Sequence, residues 1–436
     1  MFFFQTWDCI LPSFVWMPAN TSSLGACLEM SKKTISVPSS SKSIFAPWPF
    51  YAEDEIEAVG RVLRSGKVNY WTGEEGRRFE EEFAAASGCQ YAVALANGTN
   101  ALELALVALQ IPPGSEVITT PRTFIASASC IVMRGCTPIF ADVDPDSGNI
   151  TAETIAKVIT SKTRAIIPVH LGGWPCDMDP IMALAEKHDI RVIEDCAQAN
   201  GATYKGRPVG SIGDAGCFSF CQDKIITTGG EGGMLTTNNK TVWRRAWEFK
   251  DHGKSFEAVY HRKHAPGFRW LHESFGTNWR MTEIQATIGR IQLRKLPIWT
   301  QTRRKNMDFL FDALATQPAL RIPRATGDFG HAAYKAYTYI RPEMLLPEWT
   351  RDRIMSEITA KGVACFSGSC SEIYSEKAFM DKDLHLLKPL PQARLLGETS
   401  LMFLVHPTMD ETQIQTVILA TKSVLRQASP SGASQP

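Results

Sequence analysis

A lysine that precedes a run of glycines is the residue of this sequence best suited to covalent chemistry. Lys224 follows the apolar segment 217–220 and stands shortly before four glycines within residues 229–233. Glycine lets the backbone turn tightly and approach a ligand closely. A desolvated lysine amine can lose its proton and form a Schiff base with a carbonyl group. The alternative is an ordinary solvated loop lysine, which is the usual fate of this residue type.

A carboxylate at the end of an apolar strand is the second chemical feature. Asp195 closes the segment Ile193-Glu194-Asp195, and Gln198 follows three residues later. A buried carboxylate is costly unless it pairs with a cation or accepts strong hydrogen bonds. The protonated ring nitrogen of a pyridine cofactor would be such a partner, and an arginine would serve equally well.

The tetrapeptide Asn97-Gly98-Thr99-Asn100 is suited to binding an anion. It follows a predicted strand and begins a predicted helix. A helix amino terminus offers free N–H donors and the positive end of the helix dipole, so phosphate is its natural ligand. The tetrapeptide alone also fits a plain turn in which Thr99 or Asn100 caps the helix. It is not a P-loop, because the GK[ST] ending is missing.

Two further side chains come directly after predicted strands. Phe124 follows strand 116–120 and could cover the face of a flat ring, although a single phenylalanine is more often packed in a core. His170 follows strand 165–169 and could approach the site or serve as a satisfied structural histidine.

These side chains need a scaffold that brings strand ends together. Short β-branched runs predict strands at 92–96, 116–120, 138–141, 165–169, 191–194, 216–220 and 233–236. Apolar residues at helical spacing lie between several of them, for example around Leu102 and Ile181. Alternating strands and helices predict an α/β fold with a mostly parallel sheet covered on both faces. In such sheets ligands bind at the carboxyl ends of the strands, where these side chains are expected.

The pattern changes after Pro297, which suggests a second domain. A helix at 303–314, a strand at 337–340 and helices at 351–361 and 411–425 predict a smaller α+β unit. We therefore expect a large domain over residues 45–296 and a small domain over residues 297–428.

Both ends of the chain are expected to be disordered. Residues 18–44 are rich in serine, threonine, asparagine and lysine, and residues 429–436 are mostly small and polar. This gives a predicted arm at 1–44 and a predicted tail at 429–436. The residues that follow Met30 are polar, as is common at the start of a protein chain. We therefore expect Met30 to be the natural start and residues 1–29 to come from an over-extended reading frame.

The composition excludes several classes of protein. The 46 Lys and Arg and 45 Asp and Glu give a formal net charge of +1, which favours neither nucleic acid nor an anionic membrane as a partner. Residues 1–17 are apolar but too short to span a bilayer, which needs about 20 residues. The 11 cysteines form no CxxC pair, so we expect free thiols, a reducing cytoplasmic compartment and no metal site.

Taken together, these segments resemble the DegT/StrS group of sugar-nucleotide aminotransferases, within the fold-type I pyridoxal-phosphate enzymes. The resemblance runs from about residue 50 to residue 407. It rests on six segments in order: NGTNALELAL, TPRTFIASAS, PVHLGGWPCDMD, IEDCAQANGA, GDAGCFSFCQDKIITTGGEGG and NWRMTEIQATIGRIQL. It implies the fold of aspartate aminotransferase, with a mostly parallel sheet in the large domain and a smaller α+β carboxyl-terminal domain.

The resemblance also implies a role for each matching residue. Lys224 would hold pyridoxal 5'-phosphate as an internal aldimine and move protons, while Asp195 would pair with the pyridinium nitrogen. The other cofactor-binding residues would be Gln198 beside the ring hydroxyl, Phe124 stacked on the ring, Gly98, Thr99 and Ser219 at the phosphate, and Asn278 reaching the phosphate across a subunit interface. The active unit would then be a homodimer with shared active sites.

The implied reaction moves an amino group from an amino acid, usually glutamate, to a nucleotide-linked keto-sugar. Relatives that dehydrate deoxy-sugars carry histidine where this sequence has Lys224, so transamination is favoured over a dehydratase or lyase reaction. A free cyclitol remains an alternative acceptor. Two segments differ from the sequences that are common in the family: GWPCDMD (173–179) and SGSCSEIYSEKAF (367–379). By the resemblance, both segments border the substrate. We expect a 4-keto-6-deoxy sugar nucleotide that feeds polysaccharide or O-antigen synthesis.

Overall fold

A seven-stranded sheet forms the centre of the structure, a computed structural model that describes residues 45–382, 384 and 388–430. The strands are β1 (Tyr91–Leu95), β2 (Glu116–Thr119), β3 (Thr137–Phe140), β4 (Thr163–Ile167), β5 (Arg191–Asp195), β6 (Ala215–Ser219) and β7 (Gly233–Thr237). Their order in the sheet is β1-β7-β6-β5-β4-β2-β3. Only β7 runs against its neighbours, since it pairs antiparallel with β1 and β6, so the prediction of a mostly parallel sheet is confirmed.

All seven predicted strands are present, displaced by at most two residues. The prediction succeeds because these strands are near-continuous apolar runs, which is typical of parallel strands covered on both faces. In β5, for example, four of the five residues are buried, and in β6 all five are buried.

Helices pack on this sheet. They are α1 (Glu53–Ser65), α2 (Glu75–Ala86), α3 (Gly98–Ala108), α4 (Ala126–Met133), α5 (Ala152–Ala156), α6 (Met178–Lys187), α7 (Lys240–Lys250) and α8 (Phe256–Tyr260). Helix α3 leaves the end of β1 and packs Leu102, Leu104 and Ala105 into the core of the sheet. The alternation of strand and helix therefore places the amino terminus of α3 at the carboxyl edge of the sheet.

Helix α9 (Glu283–Leu314) is 32 residues long and contains Pro297. The predicted helix at 303–314 was therefore too short at its beginning. Proline removes one helical hydrogen bond, but buried residues on both sides of it, such as Ile291 and Leu310, hold the helix in one piece. The predicted domain boundary between residues 296 and 297 falls inside this helix, and the division into two domains stays a prediction.

The carboxyl-terminal part has its own sheet and core. Strands β8 (Leu320–Arg321), β9 (Ala336–Ile340), β10 (Cys365–Phe366) and β11 (Ser400–Phe403) form an antiparallel sheet in the order β8-β9-β11-β10. Helices α10 (Arg351–Ala360), α11 (Lys377–Met380), α12 (Pro391–Thr399) and α13 (Glu411–Ala428) accompany it. The strand predicted at 337–340 and the helices predicted at 351–361 and 411–425 are confirmed.

A further short ladder joins 203–204, 207–208 and 329–330. The predicted disordered arm at 1–44 lies outside the described residues, as do residues 431–436 of the predicted tail. None of the helices within the described ranges combines the length and apolar character needed to cross a bilayer. The nine cysteines that the structure describes are all free, and seven of them are buried.

Candidate active site

Asp195 stands at the carboxyl end of β5, in the middle of the sheet, and is buried. Its Oδ2 accepts a hydrogen bond of 2.7 Å from the Ser127 hydroxyl, and its Oδ1 accepts one of 3.1 Å from the Ala197 N–H. Burial raises the pKa of Asp195, while the Ser127 and Ala197 hydrogen bonds and the Lys224 ammonium lower it in part. The buried carboxylate thus accepts hydrogen bonds, but these do not fully offset the cost of burying its negative charge.

Lys224 lies in the turn that follows β6 and is half-buried. Its N–H donates to the Cys221 carbonyl at 3.0 Å, and its carbonyl accepts from Trp48 Nε1 at 3.0 Å. Its Nζ lies 5.2 Å from the centre of the Tyr334 ring. Lys224 follows β6, the strand that pairs with β5 beside Asp195, and its charge lowers the Asp195 pKa. A fixed, half-buried lysine is unlike the solvated loop lysine of the alternative interpretation.

The tetrapeptide at the start of α3 adopts the geometry expected of an anion site. Asn97, not Thr99 or Asn100, caps the helix, since its side chain accepts from the Asn100 N–H at 2.9 Å. The N–H groups of Gly98 and Thr99 lie in the first turn, where a helix leaves them without helical partners. Gly98 packs against Ser219 so closely that an added Cβ would lie 2.6 Å from the Ser219 Cβ.

Three other predicted residues lie in segments near the ends of β2, β5 and β1. Phe124 is 68% exposed, which excludes the core-packing alternative. Gln198 is buried, and its Oε1 accepts from the Gly172 N–H at 2.8 Å. Asn278 is exposed, and the carbonyl of its neighbour Trp279 accepts from the Ala96 N–H at 2.9 Å, which places this segment beside the end of β1.

His170 is a structural residue. Its Nδ1 accepts from the Cys176 N–H at 2.9 Å, so its Nε2 donates to Glu194 Oε2 at 3.1 Å. Both side chains are fully buried. The Glu194 carboxylate also accepts three backbone N–H bonds, from Gly210, Ile212 and Gly213. With both ring nitrogens engaged, the satisfied histidine is the correct interpretation.

His170, Glu194 and Cys196 place their ligand atoms within 4.8 Å of one another. The two Glu194 oxygens already accept four hydrogen bonds, and burial raises the pKa of the Cys196 thiol well above its usual value. A thiol must lose its proton to bind a metal. The cluster therefore fits a hydrogen-bonded core better than a metal site.

Comparison with known proteins identifies the family. The model of the DegT/DnrJ/EryC1/StrS aminotransferase family matches residues 49–422. The chain belongs to this family. It is a pyridoxal-phosphate-dependent aminotransferase of fold-type I, as the resemblance implied.

Individual members of the family resemble the chain over most of its length. The crystal structure of an aminotransferase from Psychrobacter cryohalolentis is 58% identical, with a TM-score of 0.87, and the match covers 88% of this chain and 99% of that chain. UDP-N-acetyl-3-dehydro-alpha-D-glucosamine 3-aminotransferase of Acidithiobacillus ferrooxidans is 36% identical over 87% of this chain and 95% of its own length. GDP-perosamine synthase of Caulobacter vibrioides is 36% identical over 81% of this chain and 92% of its own length.

Sequence reasoning missed several residues around the two central side chains of this aminotransferase. Ser127, which bonds Asp195, stands in the segment TPRTFIASAS, but nothing in that segment marks one serine above another. Tyr334 and Lys335 come from more than 100 residues beyond Lys224, yet both lie beside it together with Asp223. Only the folded chain reveals this second group.

Proposed function

We propose that this aminotransferase moves an amino group from glutamate to a keto-sugar linked to a nucleotide. The observation that carries the proposal is that the buried Asp195 ends β5 while Lys224 follows the neighbouring strand β6, at the carboxyl edge of the sheet. The sugar part is supported by the names of the two curated relatives, which cover most of the chain. The presence of lysine at 224 disfavours the dehydratase alternative.

The residues present fit pyridoxal phosphate. The contact between Gly98 and Ser219, beside the free N–H groups that begin α3, is a tight cradle for a phosphate. Asp195 is a buried carboxylate with no cation hydrogen-bonded to it among the described residues, so a protonated ring nitrogen would complete its environment. Phe124 is exposed and available to cover a ring face. We assign Gln198 to the ring hydroxyl and Thr99 to the phosphate.

Each protein group then has a defined task. When bound, pyridoxal phosphate supplies a carbonyl carbon for covalent attachment and a ring that accepts electrons from a broken C–H bond. Asp195 keeps the proton on the ring nitrogen, and Ser127 holds the Asp195 carboxylate in place. The Lys224 amine removes a proton from the donor carbon and, in the second half-reaction, delivers one to the sugar carbon.

The acceptor is proposed to be a 4-keto-6-deoxy sugar nucleotide for polysaccharide or O-antigen synthesis. We place its recognition at segment 367–379, because this segment is fixed to the loop that precedes Phe124. The Thr123 N–H donates to the Cys370 carbonyl at 3.0 Å, and the Ile373 N–H donates to the Pro121 carbonyl at 3.1 Å. The segment whose sequence differs from those common in the family is therefore joined to the loop that carries Phe124.

The active unit is proposed to be a homodimer in which Asn278 reaches the phosphate site of the second copy. Three aromatic side chains just before it, Phe268, Trp270 and Phe275, are 78%, 81% and 99% exposed. Exposed apolar patches mark interaction surfaces, and a second copy of this chain is the occupant we propose. Replacing Trp270 by serine should yield monomers in light scattering with weakened cofactor retention. A fully active monomer would refute the shared site.

The compartment is proposed to be the reducing cytoplasm, which the free and mostly buried cysteines support. The experiment that tests the whole proposal incubates the enzyme with glutamate and a panel of keto-sugar nucleotides and measures release of 2-oxoglutarate. We expect release that requires both a keto-sugar nucleotide and Lys224. Release with a free cyclitol in place of the nucleotide would contradict the proposed acceptor.

A further inference from the structure

A second lysine stands beside Lys224 and has no task in the reaction described so far. Lys335 precedes β9, and its N–H donates to the Gly172 carbonyl at 3.2 Å. Gly172 in turn donates its own N–H to Gln198 Oε1 at 2.8 Å. Two hydrogen bonds therefore fix the backbone of Lys335 to the residue assigned to the cofactor ring.

The two lysine side chains both approach the ring of Tyr334. Lys335 Nζ lies 4.6 Å from the centre of the Tyr334 ring, and Lys224 Nζ lies 5.2 Å from the same centre. The Lys335 side chain is 15% exposed, so it is partly open to a ligand. An ammonium group over an aromatic ring gains a modest electrostatic attraction, which does not replace a counter-ion.

Positive charge exceeds negative charge in this group. The carboxylate beside Lys335, that of Asp223, accepts the Tyr334 hydroxyl on Oδ2 and lies 3.8 Å from Lys335 Nζ, beyond hydrogen-bond distance. Arg303 is buried nearby, and its Nε and Nη2 have no hydrogen-bond partner within the described part of the chain. Asp195 is the second carboxylate near Lys224, so two carboxylates face three cations in the described part of the chain: Lys224, Lys335 and Arg303.

Uncompensated buried charge is expensive. Burial is the main cause that lowers the pKa of Lys335 to about 8 and that of Arg303 to about 9, while Asp223 counteracts it in part. A bound anion would relieve this cost. These side chains therefore form a site that would be stabilised by a negatively charged ligand.

We propose that Lys335 binds the α-carboxylate of the amino-acid donor, an assignment that rests on the proposed function. The reason is the chemistry of the donor. The carbon that loses its proton to Lys224 is bonded directly to the carboxylate carbon, so a cation near Lys224 meets that carboxylate. The diphosphate of a sugar nucleotide is attached at the anomeric carbon, several bonds from a keto group at carbon 4.

The test follows the first half-reaction alone, in the holoenzyme, by the loss of its visible absorbance after mixing with glutamate. Lys335→Met keeps the aliphatic stem and removes the charge. The apparent dissociation constant for glutamate should rise roughly 10- to 100-fold, the worth of a hydrogen bond to a charged group. Lys335→Arg should recover part of this loss. Lys305→Met, at an exposed position on α9, is the matched control and should leave the constant unchanged.

A second amino-group donor distinguishes carboxylate binding by Lys335 from a purely structural role of this residue. Alaninamide has no carboxylate, so its reaction should be equally fast with the wild type and with Lys335→Met, whereas alanine should be affected like glutamate. Equal losses for the amide and the acid would overturn the proposal. If Lys335→Met retains no cofactor, Lys335→Gln, which keeps a polar group, takes its place in the same comparison.

The remaining outcomes distinguish this inference from the proposed function. An unchanged glutamate constant in a variant with normal cofactor absorbance overturns the role of Lys335 and leaves the aminotransferase reaction intact. A defect confined to the second half-reaction, measured with the aminated enzyme and a keto-sugar nucleotide, also overturns it, because the anion would then belong to the acceptor. Absence of any reaction with glutamate in the wild type contradicts the proposed function itself.

Discussion

Replacing Ser127 by alanine removes one hydrogen bond from Asp195 and leaves the other residues of the site unchanged. Both side chains are buried, and the Ser127 hydroxyl lies 2.7 Å from Asp195 Oδ2. Alanine has no hydroxyl to donate, so the Asp195 Oδ2 loses this partner. A hydrogen bond to a charged group contributes about 1.5 to 3 kcal/mol.

Losing this hydrogen bond destabilises the anionic form of Asp195, which is the form that holds the proton on the cofactor ring. The Ser127 bond lowers the Asp195 pKa, so its removal raises that pKa further above the usual value. We therefore expect Ser127→Ala to weaken pyridoxal phosphate binding by about 10- to 100-fold. Because the anion is lost as the pH falls through the Asp195 pKa, the weakening should begin at a higher pH in the variant than in the wild type.

The assay is a spectroscopic titration of the apoenzyme with pyridoxal phosphate at several pH values. Ser129→Ala is the matched control, since Ser129 lies half-buried on the same helix. Thr123→Val removes the hydroxyl 2.9 Å from the Ser127 hydroxyl and should have a smaller effect, because Thr123 acts on Asp195 only through Ser127. Cofactor binding by Ser127→Ala as tight as that of the wild type would refute this account of Asp195.

Two further predictions concern the phosphate cradle and the second lysine. Gly98→Ala places a Cβ 2.6 Å from the Ser219 Cβ, so it should weaken binding of pyridoxal phosphate several-fold more than binding of pyridoxal, as two parallel titrations would measure. The Lys335 pKa of about 8 means that its charge is present below pH 8 and lost above it, so the glutamate constant should be flat up to pH 8 and rise beyond. A flat profile up to pH 10 would contradict this role, and Lys335→Arg should remove the rise.

The sheet could be predicted from the sequence because its strands are apolar runs separated by polar turns. The residues at its carboxyl edge could be predicted for the same reason, since strand ends in an α/β sheet converge on one side. Lys224 and Asp195 follow β6 and end β5, which are neighbours in the sheet. Their proximity therefore follows from the strand order, which the structure reveals.

Other features depend on contacts between distant segments, which local patterns do not contain. The sequence pattern predicted a helix only from residue 303, but α9 begins at Glu283, and burial on both sides of Pro297 keeps it continuous. The sequence allowed Phe124 either to pack in the core or to cover a cofactor ring, and only the structure shows that its side chain is exposed. Asp223 contacts Tyr334 and Lys335, which lie more than 100 positions further along the chain, and no local pattern in the sequence indicates this contact.

The central claim is that the amine of Lys224 bonds covalently to the cofactor. Borohydride reduction of the holoenzyme fixes that bond permanently, and mass spectrometry of the resulting peptides locates it. The account predicts a pyridoxyl group on Lys224 and loss of the labelled peptide in Lys224→Ala. A pyridoxyl group on the neighbouring Lys335, or a wild-type protein that carries none after incubation with the cofactor, would contradict it.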